Sequence, residues 1–268
     1  MRKVKSAVAE PVKRERNWKK SGPKILIFDI ESAPILGVAW RKWESDLVWI
    51  ESDWHLLSFS SKWLHGKQTT RALPDYPDYT PGSKDDKALA TELWHLLDQA
   101  DVVVGHNARA FDVKKANARF LKHGLPPVRD FKIVDTMLIA RRAFSLTSNK
   151  LDDIAQYLGI GRKVATGGYQ LWRDCMAGEP AAWRRMKKYN RGDTLLTEAV
   201  YLALRPWDKS HPNFNAMLDR PTGCPKCGHA EMERRGYGYT KTGRRPEFRC
   251  KKCGGTASGA HEKIAEMM

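Results

Sequence analysis

The 268-residue chain contains no apolar run approaching the ~18 residues that a membrane-spanning helix needs. Its first 22 residues, MRKVKSAVAEPVKRERNWKKSG, lack the apolar centre of a secretory signal and read as a flexible basic arm. A transit peptide would be poorer in acids and richer in serine than a segment that holds Glu10 and Glu15. No internal repeat is present. Cysteine is almost missing before residue 224: Cys175 stands alone there and is expected to be a buried thiol, so no disulfide framework spans that region. Negative charge is also scarce. The 31 Asp and Glu face 47 Lys and Arg, which leaves a net charge of +16 and favours a polyanionic partner, nucleic acid first, over a membrane. A cytoplasmic location is expected.

Against this background the segment ILIFDIES, residues 25–32, stands out. Four apolar residues run into two acids, Asp29 and Glu31, with Ile30 between them and no Lys or Arg inside the segment. Residues at i and i+2 of a strand share a face, so the two carboxylates project together. Like charges at short range in a poorly solvated place need compensation, and a divalent cation bound through carboxylate oxygens supplies it. A strand end whose acids face water is the plain alternative.

The rest of the chain alternates. Stretches within 36–73 (LGVAW, WHLLSFSSKWL and QTTRAL) read as strands of an antiparallel meander, and PDYPDYTPGS as a loop. Ser83 is placed to cap a helix that runs to Gln99 with Leu89, Leu93, Leu96 and Leu97 on one face. DVVVGH is a short buried strand, FDVKKANARFLKHG a helix closed by Gly124, FKIVDT a further strand, and the pattern is helical from there to about 204. The prediction is one α/β domain over 23–206 with a mixed sheet flanked by helices, a linker over 207–222 and a small separate module over 223–268.

Two further acid motifs lie inside the α/β domain. In HNARAFDV, Asp112 falls in the first turn of a helix, where an acid can simply complement the helix dipole. In KKYNRGD, Tyr189 and Asp193 are four apart and share a helix face. Gly192 is an unusual helix residue between them. Each motif alone has an ordinary structural explanation. In the order D-x-E, H-N-x-x-x-F-D, Y-x-x-x-D, they resemble the DEDD superfamily of 3′–5′ exonucleases in its tyrosine branch, over residues 24 to about 204. The histidine branch would need His at 188, where this chain has lysine. LTSNKLDDIAQYLGIGRK and GGYQLWRDCMAGEPAAWRRMKKYNRGD are similar to phage and bacterial exonucleases of DNA-polymerase type, which points to DNA and to a bacterial or phage-infected cell.

The resemblance implies a ribonuclease H-like fold and a site for two Mg²⁺ or Mn²⁺ ions. Asp29 would bridge both, Glu31 and Asp193 would complete one position, and Asp112 would hold the other through water. Tyr189 would orient the attacking water, because a phenol with an ordinary pKa of about 10 is a poor base at neutral pH. His106 and Asn107 are candidates for contacting the terminal nucleotide, with capping or structural roles equally open. Phe111 is read as core, and Asp135 as near the site without being a ligand.

The remaining cysteines form CPKCG from Cys224 and CKKCGG from Cys250, so Cys224, Cys227, Cys250 and Cys253 are the expected ligands of one structural Zn²⁺ in a zinc ribbon. His229 and His261 are alternative ligands. Basic and aromatic residues between the knuckles, with Arg244 and Arg245 as phosphate contacts, suit single strands or frayed ends, while docking on a protein is the other reading. The expected activity is a metal-dependent 3′–5′ exonuclease on single-stranded DNA ends. RNA as substrate, structure-specific endonuclease cutting, and a non-catalytic nucleic-acid-binding or polymerase-accessory role are the alternatives. A replication or repair protein is a further expected partner.

Overall fold

The computed structural model describes residues 22–43, 46–220 and 222–263. Apart from Gly22, the expected basic arm lies outside them. Strand β1 (Ile25–Ser32) is central, and its composition explains why. Leu26, Phe28 and Ile30 enter one hydrophobic core while Ile25 and Ile27 enter a second, so the strand is covered on both faces. Asp29 and Glu31 continue the row of Ile25 and Ile27.

β2 (Leu36–Val38) and β3 (Trp49–Ser52) pair only with each other, as a separate two-stranded sheet. The single meander predicted for 36–73 is therefore split. Only β4 (Leu56–Trp63) and β5 (Gln68–Ala72) join the main sheet: β4 is buried from Leu56 to Ser61 between β1 and β5, and the polar β5 forms the edge. Helix α1 (Lys87–Asp98) follows, burying Leu89, Ala90, Leu93 and Leu97. Ser83 does not cap it: its hydroxyl accepts from the Asp85 amide at 3.2 Å, and the cap position falls to Asp86. The Asp86 carboxylate turns instead to the Leu56 amide (2.7 Å), Arg119 (2.5 Å) and His123 (2.6 Å), tying three elements together.

Then come β6 (Val102–Gly105), α2 (Asp112–Lys122), β7 (Lys132–Asp135), α3 (Thr136–Ala143), α4 (Leu151–Tyr157), α5 (Gln170–Met176) and the long α6 (Pro180–Leu204). The main sheet has the order β5-β4-β1-β6-β7. β1 runs antiparallel to β4 and parallel to β6, and β6 runs parallel to β7. This mixed sheet flanked by helices is the α/β fold class expected from the sequence. α6 crosses the sheet at β1 and β4, fastened by Lys62 to Glu198 at 2.5 Å and by the Thr194 hydroxyl to Ser60 O at 3.3 Å.

Residues 207–222, expected as a linker, contain the short helix α7 (Phe214–Met217), whose Phe214 is buried in the second core. The C-terminal sheet is built from β8 (Met232–Thr240), β9 (Gly243–Cys250), β10 (Thr256–Ser258) and β11 (Glu262–Lys263) around a β8–β9 hairpin. Lys226 Nζ donates to Pro206 O, and Phe214 N to Pro225 O, joining this part to the end of α6. No helix among the described residues is long and apolar enough to cross a membrane.

Candidate active site and cysteine centre

Asp29 and Glu31 from β1 meet Asp193 from α6. One carboxylate oxygen of each lies within 4.8 Å of the others. Asp193 Oδ1 is buried and has no hydrogen-bond partner. Asp112, at the first turn of α2, stands beside this trio, with its Oδ1 accepting from the Ile30 amide at 3.1 Å. All four sequence-predicted acids are thus at one place, three as a tight cluster and the fourth anchored to the strand between the first two.

Four acids so placed hold their protons unusually well. Burial, then the charges of Asp112, Glu31 and Asp193, raise the pKa of Asp29 well above the carboxylate range. Burial, then Asp193, raises Glu31 to about 8. Burial raises Asp112 to about 7 against the stabilising Ile30 amide. Asp193 is also raised by burial, with Lys163 opposing. A group that repels its own ionisation and leaves a buried oxygen unpaired is suited to a hard cation with oxygen ligands.

Several side chains around the acids carry no motif signal. Lys163 Nζ lies 2.6 Å from Asp193 Oδ2 and 5.1 Å from the centre of the Tyr189 ring. Burial works against its ammonium, but Asp193 and Tyr189 together outweigh burial and its pKa is raised. Lys163 belongs to the segment between α4 and α5, which is held by Lys163 N donating to Asp152 Oδ1 (2.6 Å) and Arg185 to Thr166 O (2.8 Å). Gly192 lets that segment lie against α6: a Cβ there would stand 3.1 Å from Val164 Cγ2. This accounts for a glycine in the middle of a helix. Asn190, fully buried, donates to Asp29 Oδ2 at 2.6 Å and accepts from the Ser58 hydroxyl at 3.1 Å, fixing the orientation of the Asp29 carboxylate. Trp172 meets the Tyr189 ring edge-on at 5.9 Å. The only sequence hint of Asn190 is that it follows Tyr189; Lys163 and Trp172 have none.

The Tyr189 ring centre lies 5.1 Å from Lys163 Nζ, and burial, then the charges of Glu31 and Asp193, raise its pKa, so the phenol stays protonated. His106 Nδ1 is hydrogen-bonded with the Thr136 hydroxyl at 2.9 Å. Asn107 adopts a left-handed backbone (φ 63°), with its amide on Asp135 Oδ1 at 3.0 Å. Asp135 also accepts from Arg109 N and caps α3, so it shapes the loop that leads into Asp112. Phe111 is 40% exposed and is not core. A second acidic group, Asp85, Asp86 and His123, is already neutralised by Arg119.

The four C-terminal cysteine sulfurs form one cluster. Cys224 and Cys253 Sγ are 3.6 Å apart, and Cys227 and Cys250 Sγ 3.7 Å. These separations exceed any disulfide and approach the edge of a tetrahedron with Zn–S bonds of about 2.3 Å. Arg244 pairs with Glu262 at 2.7 Å and lies 4.0 Å from the centre of the Tyr237 ring, while Arg245 is exposed. His261 Nε2 is engaged with the Thr240 hydroxyl at 2.9 Å.

Residues 59–205 match the model of the RNase_H superfamily. That span includes Asp112, Tyr189 and Asp193 and begins after the strand that carries Asp29 and Glu31. No curated protein sequence matches the chain. Among solved structures, the family B DNA polymerase of the hyperthermophilic archaeon Pyrobaculum calidifontis is similar at a TM-score of 0.54 and 16% identity. The likeness covers 82% of this chain and 31% of the polymerase, and at that identity it is a likeness of fold.

Proposed function

The chain belongs to the RNase_H superfamily, and on that premise we propose that it is a metal-dependent nuclease that removes nucleotides from the 3′ ends of single-stranded DNA. The observation that carries this reading is the meeting of Asp29, Glu31 and Asp193 around an unpartnered buried oxygen of Asp193. Tyr189, four residues before Asp193 on one helix, supports the tyrosine branch of the DEDD exonucleases. The fold likeness to a DNA polymerase favours DNA and end-directed cutting.

In this reading Asp29, Glu31, Asp193 and the neighbouring Asp112 are the residues that would hold Mg²⁺ or Mn²⁺. When bound, divalent cations supply neutralisation of the scissile phosphate and acidification of water. The protein's own groups do the positioning. Asn190 holds Asp29 in register, Trp172 packs edge-on against Tyr189, and the protonated Tyr189 hydroxyl orients the attacking water toward the phosphorus. The working division is an arm over 1–22, a catalytic domain over 23–206, a linker over 207–222 and a zinc ribbon over 223–268. Structural Zn²⁺ on the four cysteines would supply folding energy that so small a module lacks. The ribbon then adds phosphate contacts from Arg245 and its neighbours.

The test is incubation of 3′-labelled and 5′-labelled single strands, DNA and RNA, with Mg²⁺, Mn²⁺ or EDTA, alongside Asp29→Ala. Mononucleotides released from the 3′ end, dependent on metal and lost in the variant, support the proposal. Internal fragments would make it an endonuclease at the same site. No cleavage under any condition would refute it.

A further inference from the structure

The β2–β3 hairpin contributes nothing to either core, yet it carries the two most exposed aromatic side chains among the described residues of the α/β part, Trp43 and Trp40. Trp40, Trp43 and Trp49 are 82%, 88% and 69% exposed. Val38, Leu47 and Ile50 beside them are also exposed. Large apolar side chains so exposed on one element mark an interaction site. The hairpin is nonetheless a built element: Gly37 allows the Trp49 carbonyl and the Leu47 side chain to approach to where a Cβ would collide.

Its position is specific. The arm leaves β1 after Ser32, one residue past Glu31, and returns into β4, where Ser32 pairs with Leu56 and Ala33 N donates to His55 O at 2.8 Å. Only four residues, Ser32 to Ile35, lie between Glu31 and Leu36, so the arm starts beside the strand end that carries Asp29 and Glu31.

Cations are interleaved with the rings at both ends. The turn reads Trp40-Arg41-Lys42-Trp43, with Lys42 Nζ 5.1 Å from the centre of the Trp43 ring. At the root Lys115 lies 4.0 Å from the Trp54 ring centre and 5.0 Å from that of Phe111, and donates to the Ser32 hydroxyl at 2.9 Å. The arm's acids, Glu44, Asp46, Glu51 and Asp53, all lie outside that four-residue turn. Alternating cations and solvated rings match a single strand, which offers a phosphate and an unpaired base at each step. A second copy of the chain, itself at +16, would bring like charge against the turn.

We infer that the β2–β3 hairpin is a stacking arm that holds unpaired bases of the strand whose end occupies the acidic site. This rests on the nuclease reading for what lies in the site, but not for the binding itself. The arm selects substrates with an unpaired segment, because paired bases present no face to the indoles.

The experiment uses the full chain in EDTA, where no cutting can occur, and fluorescein-labelled oligothymidylate or a blunt duplex. The variant is Trp43→Ala/Trp49→Ala, two exposed positions whose loss leaves the cores intact, checked by an unchanged melting curve. A ten- to hundred-fold weaker affinity for oligothymidylate with unchanged duplex affinity, together with quenching of tryptophan fluorescence in the wild type, supports the arm. Equal affinity of variant and wild type overturns it. So does a wild-type dimer that the variant converts to monomer, which would make the arm an interface between copies. Adding Mg²⁺ separates the two proposals. Indole-dependent binding without cleavage sinks the nuclease reading alone, and cleavage with an unaltered single-strand preference in the variant sinks the arm alone.

Discussion

Lys163 Nζ is 2.6 Å from Asp193 Oδ2, on the same carboxylate whose other oxygen has no partner. One ammonium thus stands where four acids converge, and it lowers the pKa of each of them. In the metal-free protein this lysine does part of a cation's work, so it competes with any ion that takes Asp193. Lys163→Met is expected to bind Mn²⁺ about tenfold more tightly, a change of ~1.4 kcal/mol, yet to cut at least tenfold more slowly because Tyr189 loses its partner. Calorimetric titration with Mn²⁺ and initial rates test the two halves separately. Weaker metal binding in the variant would show that Lys163 supports the metal site instead of competing for it.

The acids also set a pH dependence. Glu31 at about 8 and Asp112 at about 7 hold protons in the folded state that the unfolded chain releases near pH 4, and Asp29 and Asp193 shift in the same direction. The native state therefore binds more protons between about pH 4.5 and 8, and these groups make the metal-free protein less stable as pH rises through that window. Divalent ions need the ionised carboxylates. Their stabilisation should accordingly be small at pH 5.5 and large at pH 8.5, measured as the shift in melting temperature between EDTA and Mn²⁺. The same shift at both pH values would contradict the raised pKa values.

What could be read from sequence, and what could not, follows from where the information lies. Asp29, Glu31, Asp112 and Asp193 sit on elements whose apolar patterning is local, so both the element and the face of each acid were legible. The four cysteines were legible by spacing. Lys163 was not: it is one of 47 basic residues, in a segment with no period, and its place depends on how that segment closes over α6. Asn190 was hidden for a related reason, since a buried amide acquires meaning only through Asp29 and Ser58 on two other strands. Ser83 misled because capping propensity is local, whereas Asp86 is fixed by bonds to Leu56 and Arg119 from elsewhere in the chain. The strand at 36–38 was recognisable, the one at 49–52 was not read as a strand, and nothing in either states that they pair apart from the main sheet.

Gly192→Ala tests whether closure of the Lys163 segment matters. Alanine gains about 1 kcal/mol of helix propensity over glycine. Its Cβ, 3.1 Å from Val164 Cγ2, pushes against a segment held by only a few hydrogen bonds. The variant is expected to melt at or slightly above the wild-type temperature while losing several-fold in cleavage rate. Adding Val164→Ala should restore the rate by removing the methyl group that clashes, and the double-mutant cycle reads the coupling directly. Unaltered cleavage by Gly192→Ala would mean that the segment's position is immaterial to the chemistry.

Asn190→Ala separates positioning from chemistry. It removes a neutral group that touches no solvent and frees the Asp29 carboxylate, leaving the Ser58 hydroxyl without its buried partner. A loss of about 1–3 kcal/mol in stability is expected from the unmet hydrogen bonds. Beyond that, the Mn²⁺ affinity should fall while binding of oligonucleotide in EDTA is unchanged. Asn190→Asp would place another acid against Asp29 and should be worse than alanine, a ranking that simple loss of packing does not predict.

Removal of residues 223–268 asks what the cysteine module contributes to the proposed substrate grip. Its cysteine cluster is joined to the α/β part through Lys226 to Pro206 and Pro225 to Phe214, contacts that lie at the far end of α6 from Asp193. The acidic site should therefore survive truncation, and cleavage of a saturating short substrate should stay within about twofold. Binding should weaken, and the slope of log affinity against log salt should flatten by ~0.7 for each lost phosphate contact on a single strand. Cys227→Ser and Cys253→Ser in the full chain should reproduce that flattening, with loss of Zn²⁺ measured by a chromogenic chelator, because a ribbon without its metal cannot hold the β8–β9 hairpin in place. An unchanged salt slope in both the truncation and the cysteine variants would assign the module to docking on a protein and leave the phosphate grip to the basic residues of the α/β part.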